Sequence, residues 1–85
     1  MRFINVGYNN MVSADKIVAL VSFDSAPSKR LVQDSKDSGR AVDCTGGKKT
    51  RSVVIMNSGH VILSSLEAEK LAARASGEKD EEGEE

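Results

Sequence analysis

Gly46, Gly47, Lys48, Lys49, Thr50 and Arg51 follow one another directly, placing three cations on a glycine turn just ahead of the apolar run Ser52 to Met56. Paired glycines let a backbone approach a bound group closely. Cations on such a turn are solvated and free to meet an anion. Each one that neutralises a phosphate releases condensed counterion, so binding falls steeply as salt rises. Phosphate contact is therefore the chemistry these residue types offer. The plainer alternative is a solvated hairpin tip whose charge resists edge pairing. A nucleotide-binding P-loop is excluded. That motif needs a glycine five residues before the Gly of its Gly-Lys pair, a Ser or Thr directly after the pair, and a helix behind it. Val42 and Lys49 occupy those two positions, and a strand-like segment follows.

A second basic group, Lys29, Arg30, Lys36 and Arg40, falls on a predicted helix and its exit, and Lys16 precedes an apolar run. Helix cations are commonly a solvated face rather than a binding face. Catalysis finds little support. His60 is the one histidine and reads as a structural or surface residue beside a turn. Cys44 closes an apolar strand and reads as core rather than nucleophile. The carboxylates of residues 1–75 are scattered, without a pair suited to acid–base work or a metal. The expectation is a binding module, not an enzyme, with no cofactor, no metal and no small-molecule substrate. Aromatic residues number three, Phe3, Tyr8 and Phe23. Single-strand recognition relies on stacking platforms and so is disfavoured, whereas duplex contact through phosphates needs none.

The elements that must position these residues read as follows. Phe3 to Val6 is a short strand, broken by Gly7-Tyr8-Asn9-Asn10. Ile17 to Phe23 is continuously apolar, which suggests a central strand covered on both faces. Asp24 or Ser25 caps a helix with Pro27 in its first turn, running to about Ser38 and stopped by Gly39. Leu31, Val32 and Ser35 form its narrow buried stripe. Ala41 to Cys44, Thr50 to Met56 and His60 to Ser64 read as a meander, with Thr45 to Lys48 and Asn57-Ser58-Gly59 as its turns. A last helix from about Glu67 to Ala75 carries Leu66, Leu71, Ala72 and Ala75 at helical spacing, with Ser65 as its N-cap. The fold class is α/β (α+β): a mainly antiparallel sheet, one central helix and a C-terminal helix.

The 85 residues suffice for one small domain. Residues 76–85 contain no apolar side chain and are expected to form a disordered acidic tail, leaving a folding unit of residues 1–75. A core that small supplies only about 3–5 kcal/mol without a staple. A single cysteine allows no intrachain disulfide, so self-assembly is the expected staple. The formal net charge of −1 hides a segregation. Residues 1–75 carry eleven Lys/Arg against seven Asp/Glu, a balance of +4, while residues 76–85 carry six acids against Lys79, a balance of −5. A basic body with an acidic arm suggests nucleic-acid contact, and ordinary surface charge with a solubilising tail is the alternative. Residues 1–12 lack the apolar core of a secretory leader, and no run reaches the roughly 18–20 apolar residues of a membrane span. A soluble, cytoplasmic protein with no membrane partner is expected.

Four segments together carry a family resemblance. They are Phe3-Ile4-Asn5-Val6-Gly7-Tyr8-Asn9-Asn10-Met11-Val12-Ser13-Ala14, Ser25-Ala26-Pro27-Ser28-Lys29-Arg30-Leu31, Gly47-Lys48-Lys49-Thr50-Arg51, and the stretch from Val54 through Asn57-Ser58-Gly59-His60 to Ser64. In order and spacing they resemble the RemA family, the extracellular matrix regulatory proteins of bacteria, over about residues 2–72. The resemblance implies a DNA-binding transcriptional regulator of biofilm matrix genes with a fold similar to LytTR-type DNA-binding domains. It implies closed homo-oligomeric rings with double-stranded DNA wrapped on a basic rim. The basic loop of the family maps to Lys48, Lys49 and Arg51, and a basic position after the N-terminal segment maps to Lys16. The family often carries arginine where Lys16, Lys48 and Lys49 stand. Lysine keeps phosphate attraction but loses the two-pronged contact of guanidinium, so backbone and shape recognition are expected over base readout. The expected DNA-binding set is thus Lys16, Lys48, Lys49 and Arg51, with Lys29 and Arg30. The alternative is a ring-forming interaction protein whose basic rim takes RNA or an acidic protein.

Overall fold

Asn57-Ser58-Gly59 separates two apolar runs, and a computed structural model, which describes residues 2–77, folds those runs into a hairpin. Gly59 takes the positive φ of +94° that the turn requires, and Met56 N–H donates to the His60 carbonyl at 3.0 Å. In chain order the elements are β1 (Phe3–Asn5), β2 (Met11–Ser13), β3 (Ile17–Ser22), α1 (Ala26–Asp37), β4 (Ala41–Asp43), β5 (Ser52–Met56), β6 (Val61–Ser64) and α2 (Ala68–Ala75). A single 3-10 turn, Ala14–Lys16, joins β2 to β3. The fold is mixed α+β and mostly antiparallel, as the sequence suggests.

One sheet pairs β1 with β2, and the other runs in the order β3-β5-β6-β4. Both faces of the four-stranded sheet are covered. Val53, Val61 and Leu63 pack with Val32 of α1, joined by Val21, Phe23 and Ile55. Val54 and Ile62 face the other way, against Leu71 of α2, Ile4, Val6 and Cys44. Successive strand residues point to opposite faces, so coverage on both sides makes β5 and β6 apolar at every step. The exceptions are Ser52 and Ser64, opposite each other and buried. Their hydroxyls donate to the carbonyls of Leu66 and Val6, each at 2.7 Å, which satisfies the buried oxygens and ties the sheet to the β1 and α2 connections.

α1 begins as its residues predict. Ser25 caps it, accepting from Ser28 N–H, and Pro27 sits in the first turn. Ser28, Val32 and Ser35 are its buried residues, while Leu31 is half-buried. Gly39, at φ +76°, follows the C-cap Ser38.

Several expectations are corrected. β3 is an edge strand, not a central one. Its two faces are covered, which is why it is apolar, but periodicity carries no information about the order of strands. Its register shifts between Ile17 and Ala19, and Val18, at the shift, is 65 % exposed. The meander is also incorrect at its first strand: β4 pairs parallel with β6 at the far edge. Met11–Ser13, missed as a strand, pairs with β1. α2 is capped by Glu67 rather than Ser65, and Ala72 is exposed. Ser76 and Gly77 close α2 through N–H donation to Ala72 and Arg74 carbonyls. The rest of the expected acidic tail, residues 78–85, lies outside the described residues. Among the described residues no helix is long and apolar enough to cross a membrane.

Leu71 is fully buried beneath the sheet. Leu71→Ala should cost about 2–5 kcal/mol, seen as a large fall in the urea midpoint. Ala72→Ser, one residue along on the exposed side, should leave that midpoint unchanged.

Candidate nucleic-acid interface

The basic loop is not a hairpin tip. β4 and β5 flank β6 on either side, so residues 44–51 must cross over the end of β6. A crossing loop of this kind needs anchors, and four are present. Asp43 Oδ1 accepts from Thr45 N–H at 2.9 Å and from the Thr45 hydroxyl at 2.6 Å. Lys48 N–H donates to the Thr45 carbonyl at 3.1 Å, closing a turn over Gly46 and Gly47, whose φ values are +64° and +84°. Arg51 N–H donates to the Ser64 carbonyl at 2.8 Å, and Phe23 N–H donates to the Arg51 carbonyl at 3.1 Å. Arg51 thus springs from a fixed backbone.

The fourth anchor is the Gly7-Tyr8-Asn9-Asn10 turn. Asn5 Oδ1 accepts from Gly7 N–H at 2.7 Å, and the Asn10 side-chain amide donates to the Gly7 carbonyl at 2.9 Å. Tyr8 and Asn9 are held at φ +53° and +63°. This left-handed pair costs energy in any residue other than glycine, and the side-chain bonds around it maintain it. The Tyr8 ring lies over Gly46 so closely that a Cβ there would come within 2.7 Å of it.

Behind the loop lies a cleft of about 580 Å³. It gathers Lys29 from the first turn of α1, Lys49 and Arg51 from the loop, Phe23 and Asp24 from the turn after β3, and Glu67 and Glu69 from the start of α2. Arg51 and Glu67 form an ion pair at 3.4 Å with both side chains more than half exposed. Such a pair is easily exchanged for another anion. Lys48 and Arg30 are exposed but do not line the cleft. Lys16 is not brought here. Its carbonyl accepts from Asn57 N–H, which places it at the opposite end of β5. Five residues of strand separate the two ends, about 17 Å. Arg40 lies at that far end too, donating to the Gly59 carbonyl at 2.7 Å.

Among the described residues, the remaining reactive types do not assemble a catalytic constellation. Burial pushes the Cys44 thiol up, with the Asp43 charge adding to the effect, so it stays a protonated thiol. His60 is exposed, its Nδ1 2.7 Å from the Ser58 hydroxyl. Among the described residues no cluster of His, Cys, Asp and Glu could hold a metal. Sequence reasoning missed Tyr8, Asp43 and Glu67 as parts of this site. Asp43-Cys44-Thr45 did carry a signal, because an aspartate bonding two residues ahead is a common turn device. The Tyr8–Gly46 contact bridges 38 positions and had none.

Comparison with known proteins agrees with the geometry in extent. A family profile described as RemA-like, extracellular matrix regulatory protein A-like, matches residues 3–75. A protein of Geobacillus kaustophilus named "Putative regulatory protein" is 56 % identical over 98 % of both chains. A similarly named protein of Geobacillus thermodenitrificans is 54 % identical, and one of Bacillus cytotoxicus 48 %, each over the same share of both chains.

Two outcomes follow from the anchors. Gly46→Ala combines a left-handed backbone with a clash against Tyr8, and should lower stability by about 1–3 kcal/mol. Adding Tyr8→Ala should recover only the steric part, as read by thermal unfolding. The two Thr45 bonds hold the Asp43 carboxyl below its usual range, the side-chain bond contributing most. A depressed folded value means that the stabilisation is complete above the unfolded carboxylate range and is lost as pH falls through the folded value. Asp43→Ala should therefore flatten the acid limb of the stability curve and leave thermal unfolding less dependent on pH below about 4.

Proposed function

The chain belongs to the RemA-like, extracellular matrix regulatory protein A-like family, and from that premise we propose that it is a regulatory protein that binds double-stranded DNA as a ring-shaped homo-oligomer in the cytoplasm. Its genes would be those of the biofilm matrix. The regulatory names of its relatives support the role. One observation carries the DNA reading: Lys49, Arg51 and Lys29 converge from two elements beside exposed Lys48, on a loop tied to the core at both ends.

Each chain offers Lys48, Lys49 and Arg51 as the principal phosphate ligands, with Lys29 and Arg30 beside them. So few cations hold a duplex weakly when one chain acts alone. Repetition around a ring multiplies them along one duplex, and effective concentration raises avidity by orders of magnitude. Two features favour such an assembly. β3 is an edge with no described strand on its outer side, and exposed Val18 lies on it. Lys16, at the far end of the sheet, joins a continuous basic surface only where another copy continues it. Lysines at the tip favour recognition of backbone and curvature over base edges, so the duplex is bent around the rim and sequence enters through deformability.

Lys48→Ala with Lys49→Ala should abolish duplex binding in a gel shift while native mass spectrometry finds the oligomer unchanged. In the single variants, the slope of log affinity against log salt should flatten by about one for each phosphate that is no longer neutralised. Normal affinity in the double variant removes the site assignment. Folded RNA or an acidic protein outcompeting duplex at every salt concentration removes DNA as the ligand.

A further inference from the structure

We infer that the basic loop is also a docking surface for an acidic peptide, and that its occupant is residues 78–85 of the same chain. Three observations carry this. The first is charge. Residues 78–85 hold Glu78, Asp80, Glu81, Glu82, Glu84 and Glu85 against Lys79, a balance of −5. The loop end of the domain sets Lys29, Lys49 and Arg51 against Asp24, Glu67 and Glu69 in the cleft, and adds exposed Lys48 outside it, a balance of +1.

The second is reach. α2 starts beside the loop, where Glu67 pairs with Arg51, and ends at Ala75, whose carbonyl accepts from Arg2. Its eight residues cover about 12 Å at 1.5 Å each. An extended chain covers about 3.3 Å per residue, so Glu81 to Glu85 lie between about 13 and 26 Å of contour beyond Gly77. The carboxylates at the far end of the segment are therefore the ones that can return along α2 to the loop.

The third is precedent within the fold. Arg51 already takes a carboxylate of its own chain, Glu67, in an exposed pair that exchanges readily. Arg2, Arg74 and Lys16 lie nearer the exit of α2, but the Arg2 and Arg74 guanidiniums are engaged with the Ala75 and Asn5 carbonyls. Tethering on a short linker gives an effective concentration near the millimolar range, so a weak attraction suffices. The segment then competes with phosphate for the same lysines. This competition rests on the DNA reading above, whereas the docking itself does not.

Carbodiimide cross-linking of the full chain at low salt, read by mass spectrometry, tests the docking directly. The expected products join Lys48 or Lys49 to Glu81, Glu82, Glu84 or Glu85, and they disappear at high salt. Mixed isotope-labelled and unlabelled protein should give products within one chain. Products confined to Lys16 or Lys70, products only between chains, or no products overturn the docking. The same chain with Glu78, Glu81, Glu82, Glu84 and Glu85 changed to Gln and Asp80 to Asn tests competition. Its duplex affinity should rise about 3- to 10-fold at low salt and converge with the parent at high salt. Equal affinity at all salt concentrations overturns the competition. Cross-links without any duplex binding sustain the docking and reject the DNA reading, so the two failures are distinguishable.

Discussion

Coverage of both faces of one hairpin is the constraint from which the rest of this structure follows. β5 and β6 bury Val53, Val54, Val61, Ile62 and Leu63. No single layer can cover both faces, so α1 must close one side and α2 with the β1–β2 pair the other. That requirement sends β4 to the outer side of β6 and forces residues 44–51 across the end of that strand. The loop carrying Lys48, Lys49 and Arg51 is therefore a consequence of how the core is closed. Its cations stand at the rim because its backbone is needed there, held to Ser64 and Phe23 by ladder-like bonds.

Much of this was legible in the residues. Ser25, Pro27 and Gly39 mark α1 by local chemistry, since caps and positive φ depend on a few neighbouring atoms. Asn57-Ser58-Gly59 fixes the β5–β6 hairpin for the same reason. What was not legible depends on order in space. Ile17 to Phe23 is apolar because two layers cover it, and an edge strand under two layers has the same composition as a central one. The parallel pairing of β4 with β6 leaves no trace in three residues whose register partners are 20 positions away. At the site, the loop cations and Lys29 were readable as charges, and the structure brings Lys49, Arg51 and Lys29 to one cleft. Lys16 was readable as a charge too, but its position at the opposite end of the sheet was not. The packing of Tyr8 on Gly46 shows why: a turn at one end of the chain supports the loop at its middle.

The support around the loop bears on its role. Flexible lysines on a mobile loop lose conformational freedom on binding, which offsets much of their attraction. Here the backbone is tied at Thr45, at Gly46 beneath Tyr8, at Lys48 and at Arg51, so less backbone freedom remains to be lost than in an unanchored loop. Such a loop presents its charges in the same geometry on every copy. On the proposed reading that sameness matters more than the strength of any one phosphate interaction. A curved polyanion meets identical points at regular intervals, and errors in their placement accumulate along its length.

The carboxylates beside the loop set the other side of the balance. Glu67 and Glu69 open α2, where acidic side chains are favoured by the free N–H groups of the first turn. Their position thus has a cause within the helix itself, but with Asp24 it also brings three negative charges into the cleft against Lys29, Lys49 and Arg51. The net field there is small, and a single phosphate gains little by entering. A long polyanion gains differently. On the proposed reading it would touch the exposed Lys48 as well, release counterions at each copy, and displace Glu67 from Arg51 at low cost because that pair is open to water. On that reading, a mixed cleft beside exposed Lys48 would discriminate by length, holding free phosphate and mononucleotides weakly while a duplex spanning many copies would be held in sum.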